Sequence, residues 1–125
     1  MSFGINAYAG DGQIDSTSTS RLGSKSTIKI TIVDKCNDGY EIDYRFYDTT
    51  NNLVWPSSSA YYYTQKYAKR YVSTLLCQTG ATVCYGGNTG NLLSWGVGID
   101  YTESCSDCCV ICRKGVNITR NLTCF

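Results

Sequence analysis

Ile28, Ile30 and Ile32 alternate with Lys29, Thr31 and Val33, and Tyr40, Ile42, Tyr44 and Phe46 alternate with Glu41, Asp43, Arg45 and Tyr47. A period of two sends successive side chains to opposite faces, so both runs predict half-buried strands. The Asp38-Gly39 step between them offers the positive φ of a hairpin connection and predicts that the two strands pair antiparallel. Earlier, Phe3, Ile5 and Ala7 alternate ahead of a Gly-, Asp-, Ser- and Thr-rich stretch through Ser26, which reads as a short edge strand and a long loop. Later, Trp95, Val97, Ile99 and Tyr101 alternate with Gly96, Gly98 and Asp100, a strand with one bulky and one nearly bare face. Val116, Ile118, Leu122 and Cys124 then alternate with Asn117, Thr119, Asn121 and Thr123 in a last strand, whose apolar row is interrupted by Arg120.

Between these runs the spacing changes. Trp55-Pro56 closes an extended region, because a residue before Pro is pushed away from helical angles. Beyond it Tyr61, Thr64, Ala68, Tyr71, Val72 and Leu75 recur at helical spacing, with Lys66, Lys69, Arg70 and Ser73 opposite. Ser57, Ser58 or Ser59 supplies a cap and Gly80 a terminator, so a long helix is expected here. A Gly-rich loop over residues 85–91 follows, with a short helical turn expected near Leu92 and Leu93. Cys105, Cys108, Cys109 and Cys112 stand at i, i+3, i+4 and i+7, a single stripe if that segment is also helical. Strands, helices and strands in this order predict one α+β domain over residues 1–125: an antiparallel sheet sandwiched with helices and stapled by disulfides.

The cysteines set the compartment. Eight in 125 residues, an even number in a short chain, imply up to four disulfides formed under oxidising conditions, hence a secreted protein. On a helix the four striped thiols meet each other poorly, so each is expected to reach one of Cys36, Cys77, Cys84 and Cys124. The alternative, zinc held by two C-x-x-C units, is disfavoured because the units abut and there is no His to assist. No metal and no cofactor are expected. Met1-Ser2-Phe3-Gly4 has neither a basic nor an apolar leader region and reads as a mature form carrying an initiator Met. Asn117-Ile118-Thr119 and Asn121-Leu122-Thr123 are glycosylation sequons that suit the same compartment. No apolar run is long enough for a membrane span. With 11 basic and 10 acidic side chains, the chain has little net field to steer it onto nucleic acid.

The absence of His removes Ser-His-Asp and Cys-His chemistry and the usual His-dependent ribonuclease mechanism. Asp43, Asp48, Asp100 and Glu103 remain as carboxylates for a glycosidase dyad, but no spacing pairs them, and the chain is read as non-catalytic. Asp11-Gly12-Gln13-Ile14-Asp15 lacks the acidic oxygens of a calcium loop. What the chain offers instead is Tyr, Trp, Asn and Asp, amphipathic rings and polar groups suited to the apolar faces and hydroxyls of a sugar. The first candidate binding patch is Tyr85, Asn88, Asn91 and Trp95, joined by Asp100 and Tyr101; the second is Tyr63, Tyr67 and Arg70, with Tyr62 and Lys66 beside it.

Phe3-Gly4-Ile5-Asn6 resembles the opening of the killer-toxin family of small fungal and fungal-virus proteins. Cys109-Val110-Ile111-Cys112 and the run from Val116 to Thr123 resemble that family's closing C-x-x-C and final strand. The resemblance implies an α/β sandwich with several disulfides and an action on calcium channels of target cells. The cysteines that normally follow the opening motif are replaced here by Ala7 and its neighbours. In size, cysteine richness and element order the chain is also similar to a small glycan-binding lectin of ink-cap mushrooms that pairs through its sheet. The expectation is therefore a secreted fungal lectin that binds a glycan on a glycoprotein or cell surface and forms a homodimer through a sheet edge, at Val116 to Cys124 or Phe3 to Ala7. The alternative is a killer-toxin-like protein acting on ion channels or growth of target cells.

Overall fold

The computed structural model describes residues 24–90 and 93–124. The strand expected over Phe3, Ile5 and Ala7 lies outside them, as do Asn91 and Leu92. Nine strands follow in order: β1 (Lys25–Lys35), β2 (Ile42–Asp48), β3 (Leu53–Trp55), β4 (Tyr62–Tyr63), β5 (Arg70–Gln78), β6 (Thr82–Thr89), β7 (Ser94–Gly96), β8 (Cys109–Ile111) and β9 (Asn117–Thr123). There is no helix among the described residues, which corrects the α+β expectation: the domain is all-β, two sheets held by disulfides. Accordingly, no described helix is long and apolar enough to cross a membrane.

The smaller sheet has the order β5-β1-β9, with β1 antiparallel to β5 and parallel to β9. The larger has β2 and β6 at its centre; β3 and β4 share the free edge of β2, and β7 and β8 share that of β6. β1 and β2 are the two strands read from the sequence, but they are not a hairpin. The connection between them carries the chain from one sheet to the other, so Ile28, Ile30 and Ile32 meet Ile42, Tyr44 and Phe46 face to face in one core with Trp55, Leu75 and Leu122. Gly39 does take the positive φ, 79°, that the Asp-Gly step promised. Burying one such aliphatic side chain contributes about 1.5–3 kcal/mol, and both inner rows do so.

The long helix gives way to β4 and β5 for local reasons. From Tyr71 onward Tyr71, Ser73, Leu75 and Cys77 alternate with Arg70, Val72, Thr74 and Leu76, a period of two that the helical reading of residues 57–78 overran. Leu75 and Cys77 are buried in the core, while Val72 is 58% exposed. Before β5, Tyr62 and Tyr63 pair with Tyr44 and Asp43, and Ala68 sits at φ 65°, which no right-handed helix contains. The cysteine stripe is not a helix either: Cys109–Ile111 is strand β8, and residues 105–108 form a loop. The expected strand from Trp95 to Tyr101 stops at Gly96, where φ values of 62° at Gly96, 77° at Gly98 and 58° at Tyr101 turn the chain.

The disulfides are Cys36–Cys124, Cys77–Cys112, Cys84–Cys109 and Cys105–Cys108, and no cysteine is free. Two of these join the stripe to the core strands as expected. Cys105 and Cys108 instead pair with each other, because the loop frees them from helical geometry, and Cys36 takes Cys124. Four disulfides are compatible with an extracellular protein.

A second, smaller cluster lies on the outer face of the larger sheet, where Tyr47, Val54 and Cys84 are covered by Val97, Tyr101, Cys105 and Cys108. The covering chain comes so close that a Cβ on Gly86 would overlap the carbonyl of Gly98.

Candidate functional site

The alternation within β6 decides what becomes of the first predicted patch. Phe46 is opposite Tyr85, and Tyr44 is opposite Gly87, which is opposite Trp95; Asp43 is opposite Asn88. Cross-strand partners share a face. Tyr85 and Trp95 therefore belong to the core face, and Asn88 to the outer face. Trp95 packs against the core and its Nε1 donates to the Thr123 carbonyl across the sandwich at 2.8 Å. Asn88 Oδ1 accepts from the Ile99 N–H at 2.6 Å, which pins the turn after β7. Asp100, on that turn, is ion-paired to Arg45 at 3.1 Å, and the Tyr101 ring lies edge-on to Tyr47. The structure thus gathers Asn88, Asp100 and Tyr101 on one side and sets Tyr85 and Trp95 on the other. Asn91 lies outside the described residues.

The other candidate carboxylates are not brought together as a dyad. Asp48 is fully buried and accepts from the N–H groups of Thr50 and Asn51 and from the Asn51 side chain, closing the β2–β3 turn. Asp43 has a buried Oδ1 without a hydrogen-bond partner among the described residues, and burial followed by the neighbouring Glu41 carboxylate pushes its pKa up to about 7. Glu103 donates its backbone N–H to Val97.

The second predicted patch becomes the more coherent site. β4, on the free edge of the larger sheet, and β5, an edge of the smaller one, bound an open groove of about 450 Å³. Its floor is Tyr44, buried and 5.4 Å from the Tyr62 ring, with Phe46 5.7 Å from both rings. Burial, with the neighbouring Tyr62 and Tyr71 phenols, pushes the Tyr44 pKa up to about 12 against a hydrogen bond with Ser73, so the floor stays neutral. Tyr61 and Tyr63, 46% and 47% exposed, stand at its rim, Tyr63 on the Asp43 face of the sheet and Tyr61 beside Arg45, and Tyr71, Val72 and Arg70 complete the lining from β5.

Each ring is held. Arg45 Nε donates to the Ala60 carbonyl at 2.7 Å and its guanidinium lies 6.0 Å from the Tyr61 ring centre, a cation–π placement. Arg45 Nη1 also bonds Asp100 and the Ile99 carbonyl, so the groove is braced by the turn that carries the first patch. The Tyr71 hydroxyl accepts from the N–H groups of Gln65 and Lys66 at 2.7 and 2.9 Å, and Lys69 Nζ lies 5.5 Å from the Tyr71 ring centre. Thr64 anchors the belt from beneath: it accepts from the Ile42 N–H at 3.0 Å and donates to the buried Asp34 carboxylate at 3.3 Å. Of the second patch, Tyr62, Tyr63 and Arg70 line the groove, while Tyr67, 52% exposed, lies beyond it beside a separate polar recess of about 140 Å³ with Asp34, Tyr40 and Thr64. Sequence reasoning missed Tyr44, Tyr61 and Tyr71 as site residues. The Tyr61-Tyr62-Tyr63 triplet was the available signal, obscured once it was read as part of a helix.

No protein family, no curated protein and no solved structure matches this chain significantly.

Proposed function

We propose that this is a secreted glycan-binding protein without catalytic activity, and that its ligand lies in the groove between β4 and β5. One observation carries the reading: tyrosine rings from both sheets, Tyr44 and Tyr62 from one and Tyr71 from the other, line an open groove and are held by hydrogen bonds and ring contacts, with the exposed Tyr61 and Tyr63 at its rim. Rings fixed in advance stack on the apolar face of a pyranose with little ordering cost, while phenol hydroxyls and Ser73 meet its hydroxyls. The four disulfides support the extracellular setting. Pairing of two copies along β9, the outer edge of the smaller sheet, belongs to the same reading and is tested by sedimentation equilibrium.

The test is a glycan array followed by calorimetry of the best ligand. Tyr61→Ala with Tyr63→Ala should weaken binding about tenfold or more, at ~0.5–1.5 kcal/mol for each ring lost. Trp95→Ala should lower stability and leave the affinity of the folded fraction nearly unchanged. An array without any retained sugar, or a double variant that binds like the parent, refutes the reading.

A further inference from the structure

The sandwich has a second open groove, at the seam opposite the tyrosine belt. It runs between β8, on the β6 side of the larger sheet, and β9, the other edge of the smaller one, and has a volume of about 520 Å³. Strand register tells which side chains face it. Val110 is opposite Val83 and Ile118 is beside Ile30, so both project from the core faces of their sheets. Val116 joins them, and all three are half-buried against the core cluster, which makes an aliphatic floor. Ile111, on the other face of β8 and 39% exposed, stands at the rim. The lining holds no aromatic ring and no carboxylate, so a pyranose finds nothing to stack on here.

The turn from β8 to β9 brings Arg113 and Lys114 to the same groove. That turn is anchored at both ends. Cys112 is bonded to Cys77 of β5 just before it, Gly115 takes φ 89° within it, and the Val116 N–H closes on the Arg113 carbonyl at 3.2 Å while the Val116 carbonyl accepts from Lys29 at 3.0 Å. Both cations are exposed, and neither is ion-paired among the described residues.

We infer that this groove binds a single-chain anionic amphiphile, an alkyl carboxylate, with its chain along Val110, Val116 and Ile118 and its head at Arg113 and Lys114. The site is separate from the tyrosine groove and does not depend on the glycan reading. Its size falls within the roughly 300–1,000 Å³ of small-molecule sites. An unbranched chain matches a floor of aliphatic side chains, and charge complementarity selects the head: an arginine fork meets a carboxylate through two parallel hydrogen bonds, and the lysine adds attraction without fixing geometry.

The experiment is calorimetry of the whole protein with alkyl carboxylates of increasing chain length, each below its micelle concentration, beside the alcohols of the same chains. Affinity should rise about two- to fourfold per added methylene while the chain still finds groove wall, then level off. The carboxylate should bind about fivefold or more tightly than its alcohol, less so as salt is raised. Arg113→Gln with Lys114→Gln should bring the two within about twofold, with glycan binding and the circular dichroism spectrum unchanged. In the parent protein the methyl resonances of Val110, Val116 and Ile118 should shift on binding, which locates the chain without altering the floor. Equal affinity for carboxylate and alcohol, or shifts confined to the tyrosine belt, overturns the inference. Affinity that never levels off, together with binding to phosphatidylglycerol vesicles, overturns it in favour of a membrane surface. Failure of every chain overturns it too, and if sedimentation shows that protein to be dimeric, the groove is assigned to a second copy.

Discussion

Residues 57–78 and 105–112 both carry helical spacing, both fold without a helix, and are held by opposite means. The cysteine segment is short, polar and covalently tied: Cys109 and Cys112 are bonded to β6 and β5, and Cys105 to Cys108. The tyrosine segment has no cross-link before Cys77 and is held by the Arg45 bond to Ala60, the Thr64 contacts and the Tyr71 hydroxyl. The first lies over the outer face of the larger sheet and hides it; the second lines an opening. Disulfides here secure chain that has few apolar groups of its own, whereas rings that must be exposed to meet a ligand are held from behind by polar contacts.

The contrast can be broken most severely at the core cross-link. Replacing Cys77 and Cys112 by Ala opens a loop of sequence separation 35 and should cost about 4 kcal/mol of stability, whereas the same change at Cys105 and Cys108, separation 3, should cost about 2. Urea unfolding of the two variants measures the difference, and equal losses would show that loop length does not set the value of these bonds. Gly86→Ala comes next. Its Cβ would collide with the Gly98 backbone, which is not a flexible side chain and cannot swing away, so the turn covering the outer face must lift. A loss of about 3 kcal/mol is expected, with increased exchange of the Ile99 amide bonded to Asn88.

Tyr71→Phe tests the other segment. It removes the acceptor of two backbone N–H groups and should cost about 1 kcal/mol, the exposed donors recovering water, while loosening residues 65–66 enough to weaken ligand binding severalfold. A pH-dependent effect is expected at Asp43, whose pKa is raised on folding from 3.8 to about 7. The folded state holds this proton more tightly, so its stabilising contribution is complete below the unfolded pKa and is lost as pH rises through 7. Asp43→Asn should flatten the fall of the thermal midpoint between pH 4 and 7; an unchanged slope would place that pH dependence elsewhere.

The alternation of β1, β2 and β9 was legible because each has one face against the core and one side that is more open or differently covered. Which strands pair was not, since Ile28 to Ile32 and Ile42 to Phe46 satisfy their burial equally well side by side or across a sandwich. The tyrosine belt was misread because Tyr61, Thr64, Ala68 and Tyr71 match a helical period, while the competing period of two begins only at Tyr71. Tyr62, Tyr63 and Arg70 could be nominated from side-chain chemistry. The nearness of Tyr62 to Tyr44 depends on β4 pairing with β2, and that of the β5 residues on β2 and β5 lying in opposed sheets, neither of which a local pattern encodes.

The parallel pairing of β1 with β9 has a consequence for biosynthesis. The central strand of the smaller sheet is made well before its second neighbour, β9, so that sheet is completed only after β9 has left the ribosome. Until then the Ile28–Ile32 row lacks a permanent neighbour on one flank, and the unpaired edge of β1 is open to other chains.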